Sequence, residues 1–154
     1  MTRALVSLFD QKYQHIVAEA THKSPLAATA RHEGQDGALW LCGTSIPRAF
    51  GICEHVLNLG SDGPQHEQAE LPVSVISNLY KDDRFSGRPY CRSLFYVGVP
   101  IRMPSGIDIG VLCVFDDKNR PSLDARSTQV LRDLSRTIMD HLVSRRASVR
   151  SDRA

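Results

Sequence analysis

The sequence predicts one domain of the α/β class in its α+β form: an antiparallel sheet of five or six strands with flanking helices. Three observations predict it. Residues 95–116 have the alternating pattern of a β-hairpin, two short strands precede it near the N-terminus, and residues 122–146 carry apolar side chains at helical spacing. The 154 residues, 42% apolar and 23% charged, are enough for one ordinary hydrophobic core.

The N-terminal part predicts a second hairpin. Residues 4–9 and 15–20 are the strands, and Asp10-Gln11-Lys12 is the turn between them. Clusters of Gly, Pro and polar residues over 21–37 predict a loop. We expect Leu39–Leu41 to re-enter the core.

Ser45–Leu59 predicts the first helix. Ser45 is a candidate N-cap, Pro47 lies in the first turn, where its missing N–H costs nothing, and Gly60 ends the helix. Its apolar stripe comprises Ala49, Cys53, Val56 and Leu57. Residues 71–77 then predict a short strand.

The hairpin over residues 95–116 is the strongest signal. Its first arm, 95–103, alternates with a period of two, and Pro104-Ser105-Gly106 forms the turn. In the second arm, 107–115, Leu112 and Val114 make the far half apolar on both faces. This pattern indicates a central strand that is covered on both sides.

Ser122–Arg146 predicts a long C-terminal helix capped by Ser122. Leu131, Leu134 and Ile138 are spaced so that they either begin a coiled-coil seam or pack on the domain's own sheet, and both alternatives stay open. The domain is expected to span residues 1–146, followed by a disordered basic tail over 147–154.

Three motifs occur in a defined order: Arg48-x-x-x-x-Cys-x-His55, Asp82-Asp-Arg-Phe85 and Gly110-Val-Leu-Cys-Val-Phe-Asp116. Together they resemble the GAF domain, in the subgroup found in histidine kinases and cyclic-dinucleotide signalling proteins, over residues 4–143. The resemblance implies a PAS-related fold with a pocket beneath loops 61–94. It also implies a small-molecule-sensing or dimerisation module of a signal-transduction protein, expected to be a (hybrid) histidine kinase of a two-component phosphorelay. We expect no catalytic activity within this domain, and a homodimer through terminal helices.

The residues expected at a ligand site follow from that resemblance, and they are Trp40, Cys53, Asp82, Arg84, Phe85, Cys91 and Tyr96. Arg84 could pair with an anionic ligand while Phe85 closes the pocket. The structural alternative, in which Asp82 ties Arg84 within the loop and Phe85 joins the core, is favoured because loop charges more often satisfy each other. Tyr96 is expected on the strand face opposite Val97. The identity of the ligand and of any cofactor is not readable.

The alternative function is a thiol-dependent reductase of free methionine sulfoxide, which a class of GAF-type enzymes performs. It would use Cys53 and Cys91, and the neighbours Arg88 and Arg92 could lower the pKa of the Cys91 thiol. The acidic pocket residues of that class have no match after Cys91.

Other site chemistries are disfavoured. Cys53 and His55 would point about 200° apart around a helix, so a shared metal ion, with help from Cys42 or His66, is not expected. The adjacent Cys-His that commonly attaches a bilin is absent, as is the signature of nucleotide-binding GAF domains.

The amino-acid composition limits which binding partners and which cellular compartment are expected for this protein. The four cysteines show no C-x-x-C spacing, so reduced thiols in a cytoplasmic protein are expected. Residues 145–154 carry a net charge of +3 and the whole chain +2, which leaves no basic stripe for nucleic acid. The first apolar run, 4–9, is too short for a signal peptide or a membrane span.

Overall fold

Six strands and one long α-helix make up the described part of the chain. The structure, a computed structural model, describes residues 1–22, 41–57, 59, 70–88 and 95–151, with side chains to residue 146. Its elements are β1 (Arg3–Phe9), β2 (Tyr13–Thr21), β3 (Ser45–Pro47), a first 3₁₀ helix (Arg48–Phe50), a second 3₁₀ helix (Cys53–Val56), β4 (Ser74–Ile76), β5 (Phe95–Arg102), β6 (Asp108–Asp116) and α1 (Ala125–Ser151). The strands form one antiparallel sheet in the order β3-β2-β1-β6-β5-β4, which confirms the predicted fold class.

Both predicted hairpins are present. The β1–β2 turn is held by Asp10, whose Oδ1 accepts hydrogen bonds from the backbone N–H groups of Lys12 and Tyr13, each at 2.7 Å. At the β5–β6 turn the N–H of Gly106 donates to the carbonyl oxygen of Met103 at 2.9 Å, and Gly106 has φ 85°, a conformation that favours glycine.

The central strands are covered on both faces, as the apolar pattern of 107–115 predicts. On one face Val97, Val99, Leu112 and Val114 pack with α1 through Leu131. The other face carries a second cluster that includes Leu5, Ile16, Tyr96, Val111, Cys113 and Phe115, covered by the second 3₁₀ helix and by Leu79 and Phe85. These two faces form separate halves of the core.

The predicted helix over 45–59 is wrong. Pro47 has φ −55° and ψ 133°, Gly51 is also extended, and residues 45–47 pair with β2 as an edge strand. Between these extended positions only two short 3₁₀ helices form. Cys53 and Val56 are nonetheless both buried, because residues three apart lie on the same side of a 3₁₀ helix. The strand predicted over 71–77 is shorter, Ser74–Ile76.

The long helix begins later than predicted and ends later. Its cap is Asp124 instead of Ser122: the Asp124 carboxylate accepts from the backbone N–H of Ser127 at 2.8 Å. Leu131 and Ile138 pack on the sheet whereas Leu134 is 48% exposed, so the three do not form one seam. The helix continues to Ser151, into the segment predicted as a tail. Among the described residues, no helix is long and apolar enough to cross a membrane.

Candidate functional site

Five buried polar or thiol side chains converge on the sheet face that points away from α1. We call them the polar cluster: Ser7 on β1, Gln14 on β2, Tyr96 on β5, Cys113 on β6 and Cys53 on the second 3₁₀ helix. None is more than 2% exposed. The four strands carrying the first four are consecutive in the sheet, so alternation along each strand brings them onto one face.

Hydrogen bonds connect part of the cluster. The Ser7 hydroxyl donates to the carbonyl oxygen of Val111 at 3.3 Å, and the Gln14 amide Nε2 donates to Ser7 Oγ at 3.2 Å. The Cys53 and Cys113 sulfur atoms lie 3.6 Å apart, within S–H···S distance. Gln14 Oε1 and the Tyr96 hydroxyl have no hydrogen-bond partner among the described residues. A buried polar atom left in this way costs about 1–3 kcal/mol.

Two glycines make room for those unpartnered atoms. A Cβ atom on Gly98 would lie 2.4 Å from the Tyr96 hydroxyl oxygen, and one on Gly51 would lie 2.5 Å from Gln14 Oε1. Both distances are shorter than real Cβ contacts allow, so the polar tips of Tyr96 and Gln14 rest directly on glycine backbone.

Burial and hydrogen bonding shift the pKa values of the groups in the polar cluster in different directions. The hydrogen bond between the two thiols lowers the pKa of Cys53, whereas burial raises the pKa of Cys113 well above its usual range. Burial also raises the pKa of Tyr96 well above its usual range, so its hydroxyl stays protonated and remains a hydrogen-bond donor.

His55 forms part of the cover of this cluster, which consists of the second 3₁₀ helix and the loop 82–88. The His55 ring packs against Phe85 at 4.9 Å and Tyr96 at 5.6 Å between ring centroids. Its Nε2 lies 2.7 Å from Ser74 Oγ and its Nδ1 contacts the carbonyl oxygen of Ile52. Burial lowers the pKa of His55, so the neutral ring is favoured.

Charged side chains of the loop 82–88 pair with each other within the loop. Arg84 Nη2 lies 2.7 Å from Asp82 Oδ2, and the Arg84 guanidinium stacks 5.0 Å above the ring of Phe85, which is buried. Hydrogen bonding to Arg84 lowers the pKa of Asp82. Arg88 donates to the carbonyl oxygen of Ala49 at 2.7 Å and so ties the loop to the first 3₁₀ helix.

The structure thus brings Cys53 and Tyr96 together in the polar cluster and places Phe85 above them, with Asp82 and Arg84 on the outer side of the cover. Trp40 and Cys91 lie outside the described residues, as does much of the segment 61–94 that was expected over the pocket. Neither Ser7 nor Gln14 belongs to the site residues that the sequence predicts. Ser7 gave one signal, a polar residue at an inward-facing position of a predicted strand, whereas Gln14 lies just before the strand predicted over 15–20.

Cys53 and His55 do not share a site: the thiol lies in the polar cluster, and both ring nitrogens of His55 are engaged elsewhere. In the described part of the chain, no three His, Cys, Asp or Glu side chains are grouped as metal ligands. The reductase alternative depends on Cys91 and stays a prediction.

The fold can be compared with known proteins. No family model matches the sequence. The GAF domain of an Acinetobacter phosphoenolpyruvate-protein phosphotransferase has a TM-score of 0.60, at 16% identity, over 97% of this chain and 75% of that one. The chain has the GAF fold. The GAF domain of Thermosynechococcus elongatus PixJ, in its blue-light absorbing form, has a TM-score of 0.57, at 14% identity, over 97% of this chain and 80% of its own.

Two further similarities concern signalling proteins. Part of a methyl-accepting chemotaxis protein has a TM-score of 0.59 to this GAF fold, at 17% identity, over 93% of this chain and 78% of that one. In sequence, a cyclic di-GMP phosphodiesterase of Pseudomonas aeruginosa is 26% identical over 149 residues, covering 90% of this chain and 24% of the relative. The chain therefore spans about a quarter of the length of this curated relative.

Proposed function

We propose that this GAF fold is a sensory module of a signal-transduction protein and that it binds a small polar molecule at the polar cluster. The observation that carries the proposal is the pair of unpartnered buried atoms, Gln14 Oε1 and the Tyr96 hydroxyl. A ligand that bonds to both would remove the cost of burying them.

The chemistry of the cluster restricts the ligand. Gln14 Oε1 is an acceptor, so the ligand presents an N–H or O–H group to it, and the protonated Tyr96 hydroxyl can donate to a ligand oxygen or nitrogen. No charged side chain belongs to the cluster, and the neutral His55 ring lies above Tyr96. The proposed ligand is therefore a small uncharged molecule with one donor and one acceptor.

The parent protein is proposed to be a cytoplasmic cyclic-dinucleotide signalling protein, in preference to a histidine kinase. The similarity to a cyclic di-GMP phosphodiesterase supports this choice. In this proposal the domain regulates and the catalytic step belongs to another part of the parent, since Asp82 and Arg84 pair with each other.

Ligand binding is tested by native mass spectrometry of freshly purified protein beside its denatured mass. We expect an added mass in the native spectrum, lost in Gln14→Met and retained in Gln129→Met. Gln129 is a matched control because its amide lies on exposed α1 and bonds to Asp133 at 2.9 Å. Equal retention of the added mass by both variants, or a bare native mass after incubation with a cell metabolite extract, would refute binding at the cluster.

The proposed module also dimerises through α1. Val130 and Leu134 lie one turn apart and are 49% and 48% exposed. Val130 borders an apolar groove of about 220 Å³ whose other lining residues include Val114, Leu123 and Leu131. A second copy of the helix would cover this side.

Light scattering after gel filtration tests the dimer. Leu134→Lys should convert the dimer to a monomer, while Val143→Lys should leave it intact. Val143 is equally exposed at 48%, but nine residues further along the helix it points to the opposite side. A monomeric wild type, or equal effects of both variants, would contradict this interface.

A further inference from the structure

Cys53 and Cys113 are 60 positions apart in the sequence, yet their sulfur atoms lie 3.6 Å apart. Both are free thiols and both are buried. We propose that they are a redox pair that a hydroperoxide converts into a disulfide. This inference concerns the thiols alone and stands whether or not the polar cluster binds a ligand.

The reaction takes two steps. The Cys53 sulfur attacks one oxygen of the hydroperoxide, so that an S–O bond forms and the O–O bond breaks, and the leaving oxygen takes a proton to become an alcohol or water. The Cys113 sulfur then attacks the Cys53 sulfenic sulfur, an S–S bond forms, the S–O bond breaks, and hydroxide leaves with a proton as water. Two thiols are oxidised and one hydroperoxide is reduced.

The surroundings give the two thiols different roles. The thiolate is the reactive form, and the hydrogen bond between the two thiols lowers the pKa of Cys53 while burial raises the pKa of Cys113. Cys53 also lies on the second 3₁₀ helix, in the cover of the polar cluster, whereas Cys113 lies on the central strand β6, so Cys53 is assigned as the attacking group and Cys113 as the resolving group. The Tyr96 hydroxyl lies close enough to the Cys53 thiol to affect its pKa, and it can donate a hydrogen bond to the departing oxygen.

Burial slows the entry of the oxidant but favours the second step. The resolving thiol is already in contact, so the sulfenic acid is captured before it can be oxidised further. Closing the gap from 3.6 Å to a bond of about 2.05 Å needs an approach of about 1.5 Å. Cys53 lies on a short 3₁₀ helix outside the sheet, which can shift by this amount more easily than β6.

Formation of the disulfide would also change the cover of the polar cluster. The second 3₁₀ helix carries both Cys53 and His55, and the His55 ring contacts Phe85 and Tyr96. Drawing this helix toward β6 therefore moves His55 against the loop 82–88. The disulfide would change the cover of the polar cluster without any change in the sheet.

The test treats the folded chain with hydrogen peroxide, blocks the remaining thiols with N-ethylmaleimide in denaturant, and maps the peptides by mass spectrometry. We expect a Cys53–Cys113 linkage that thiol reductant reverses. Cys42→Ser should keep the linkage, since Cys42 is exposed and not part of the pair. In Cys113→Ser the linkage should be lost and a dimedone-reactive sulfenic acid should persist at Cys53.

Two results would overturn the proposal. One is alkylation of both Cys53 and Cys113 at a peroxide dose that oxidises Cys42. The other is a disulfide that joins either of them to Cys42 or Cys91 instead. Both are read on the wild-type chain, so they do not depend on whether the Cys113→Ser variant folds, which circular dichroism checks.

Discussion

The backbone of Gly98 passes directly beneath the Tyr96 hydroxyl. A Cβ atom at this position would lie 2.4 Å from that oxygen and 2.7 Å from a methyl carbon of Val56. We expect Gly98→Ala to lower the free energy of unfolding by about 1–3 kcal/mol, because a packed site must shift to accept the methyl group. Urea unfolding at neutral pH measures the loss.

A double-mutant cycle identifies the cause. Tyr96→Phe removes the oxygen that the new methyl group meets first, so the cost of Gly98→Ala should shrink in the Tyr96→Phe background. Strict additivity of the two changes would show that Gly98→Ala acts through the strand backbone and not through Tyr96.

Asp10 makes the β1–β2 turn sensitive to acid. Its carboxylate accepts hydrogen bonds from His15 Nε2 at 2.8 Å and from the backbone of Lys12 and Tyr13, and these bonds lower the Asp10 pKa to about 2. Because the folded pKa lies below the ordinary value of 3.8, the stabilisation is present above pH about 4 and is lost as the pH falls through about 2.

This pH dependence is measurable. A carboxyl carbon NMR titration should show Asp10 with a midpoint near 2, and Asp10→Asn should flatten the acid limb of the unfolding free energy. A midpoint at 3.8 would mean that the turn bonds do not persist in solution.

Ser135 connects the long helix α1 to the sheet. Its buried hydroxyl on α1 donates to the carbonyl oxygen of Pro100 on β5 at 2.7 Å. Ser135→Ala leaves that carbonyl without this donor, so we expect a loss of about 1–2 kcal/mol in thermal or urea unfolding. Thr137→Ala is the control, because the Thr137 hydroxyl is exposed and bonds back to Asp133 within the helix. Alanine has the higher helix propensity, so Thr137→Ala should show no loss, and a loss in Ser135→Ala no larger than that in Thr137→Ala would contradict the role of the Ser135–Pro100 bond.

The elements differ in how well the sequence predicts them. The β5–β6 hairpin is predictable because alternation over residues 95–103 and a turn glycine both belong to one short segment. The structure of residues 45–59 is not predictable from the sequence. Pro47 suits a helix start and a strand end equally well, and only pairing with β2 decides between them. The helix cap is another position where the sequence offers two candidates, Ser122 and Asp124, and the structure uses Asp124.

The candidate site is predictable in part. Sequence motifs predicted Cys53 and Phe85, strand alternation predicted Tyr96, and the structure places all three on one face of the sheet. Ser7 and Gln14 could not be found in this way, because their closeness results from strand pairing across the whole sheet. The same holds for the contact between Cys53 and Cys113, which no spacing rule predicts.

At the scale of the whole molecule, the buried carboxylate of Glu19 connects distant segments. It pairs with Arg3 on β1 and accepts hydrogen bonds from the backbone N–H groups of Leu41 at 2.9 Å and Cys42 at 2.8 Å. Glu19→Ala should cost about 3–5 kcal/mol, because it leaves a half-buried arginine and two backbone donors without this acceptor. Urea unfolding measures the loss.

Glu19→Gln provides the comparison. It keeps an oxygen acceptor for Leu41 and Cys42 but removes the charge opposite Arg3, so the difference between the two variants separates the backbone bonds from the ion pair. A loss below about 1 kcal/mol in Glu19→Ala would show that the segment 41–42 is held by other contacts.

The far end of α1 extends past the sheet. Residues 143–146 are exposed, and the helix continues to Ser151. Each residue added to a continuous helix turns whatever follows by about 100° and moves it about 1.5 Å. A protein joined there through unbroken helix would therefore face a direction fixed by residue count: about two extra residues turn it to the opposite side, and about seven nearly restore it. At such a junction the number of helical residues would set the direction of the joined protein as well as its distance.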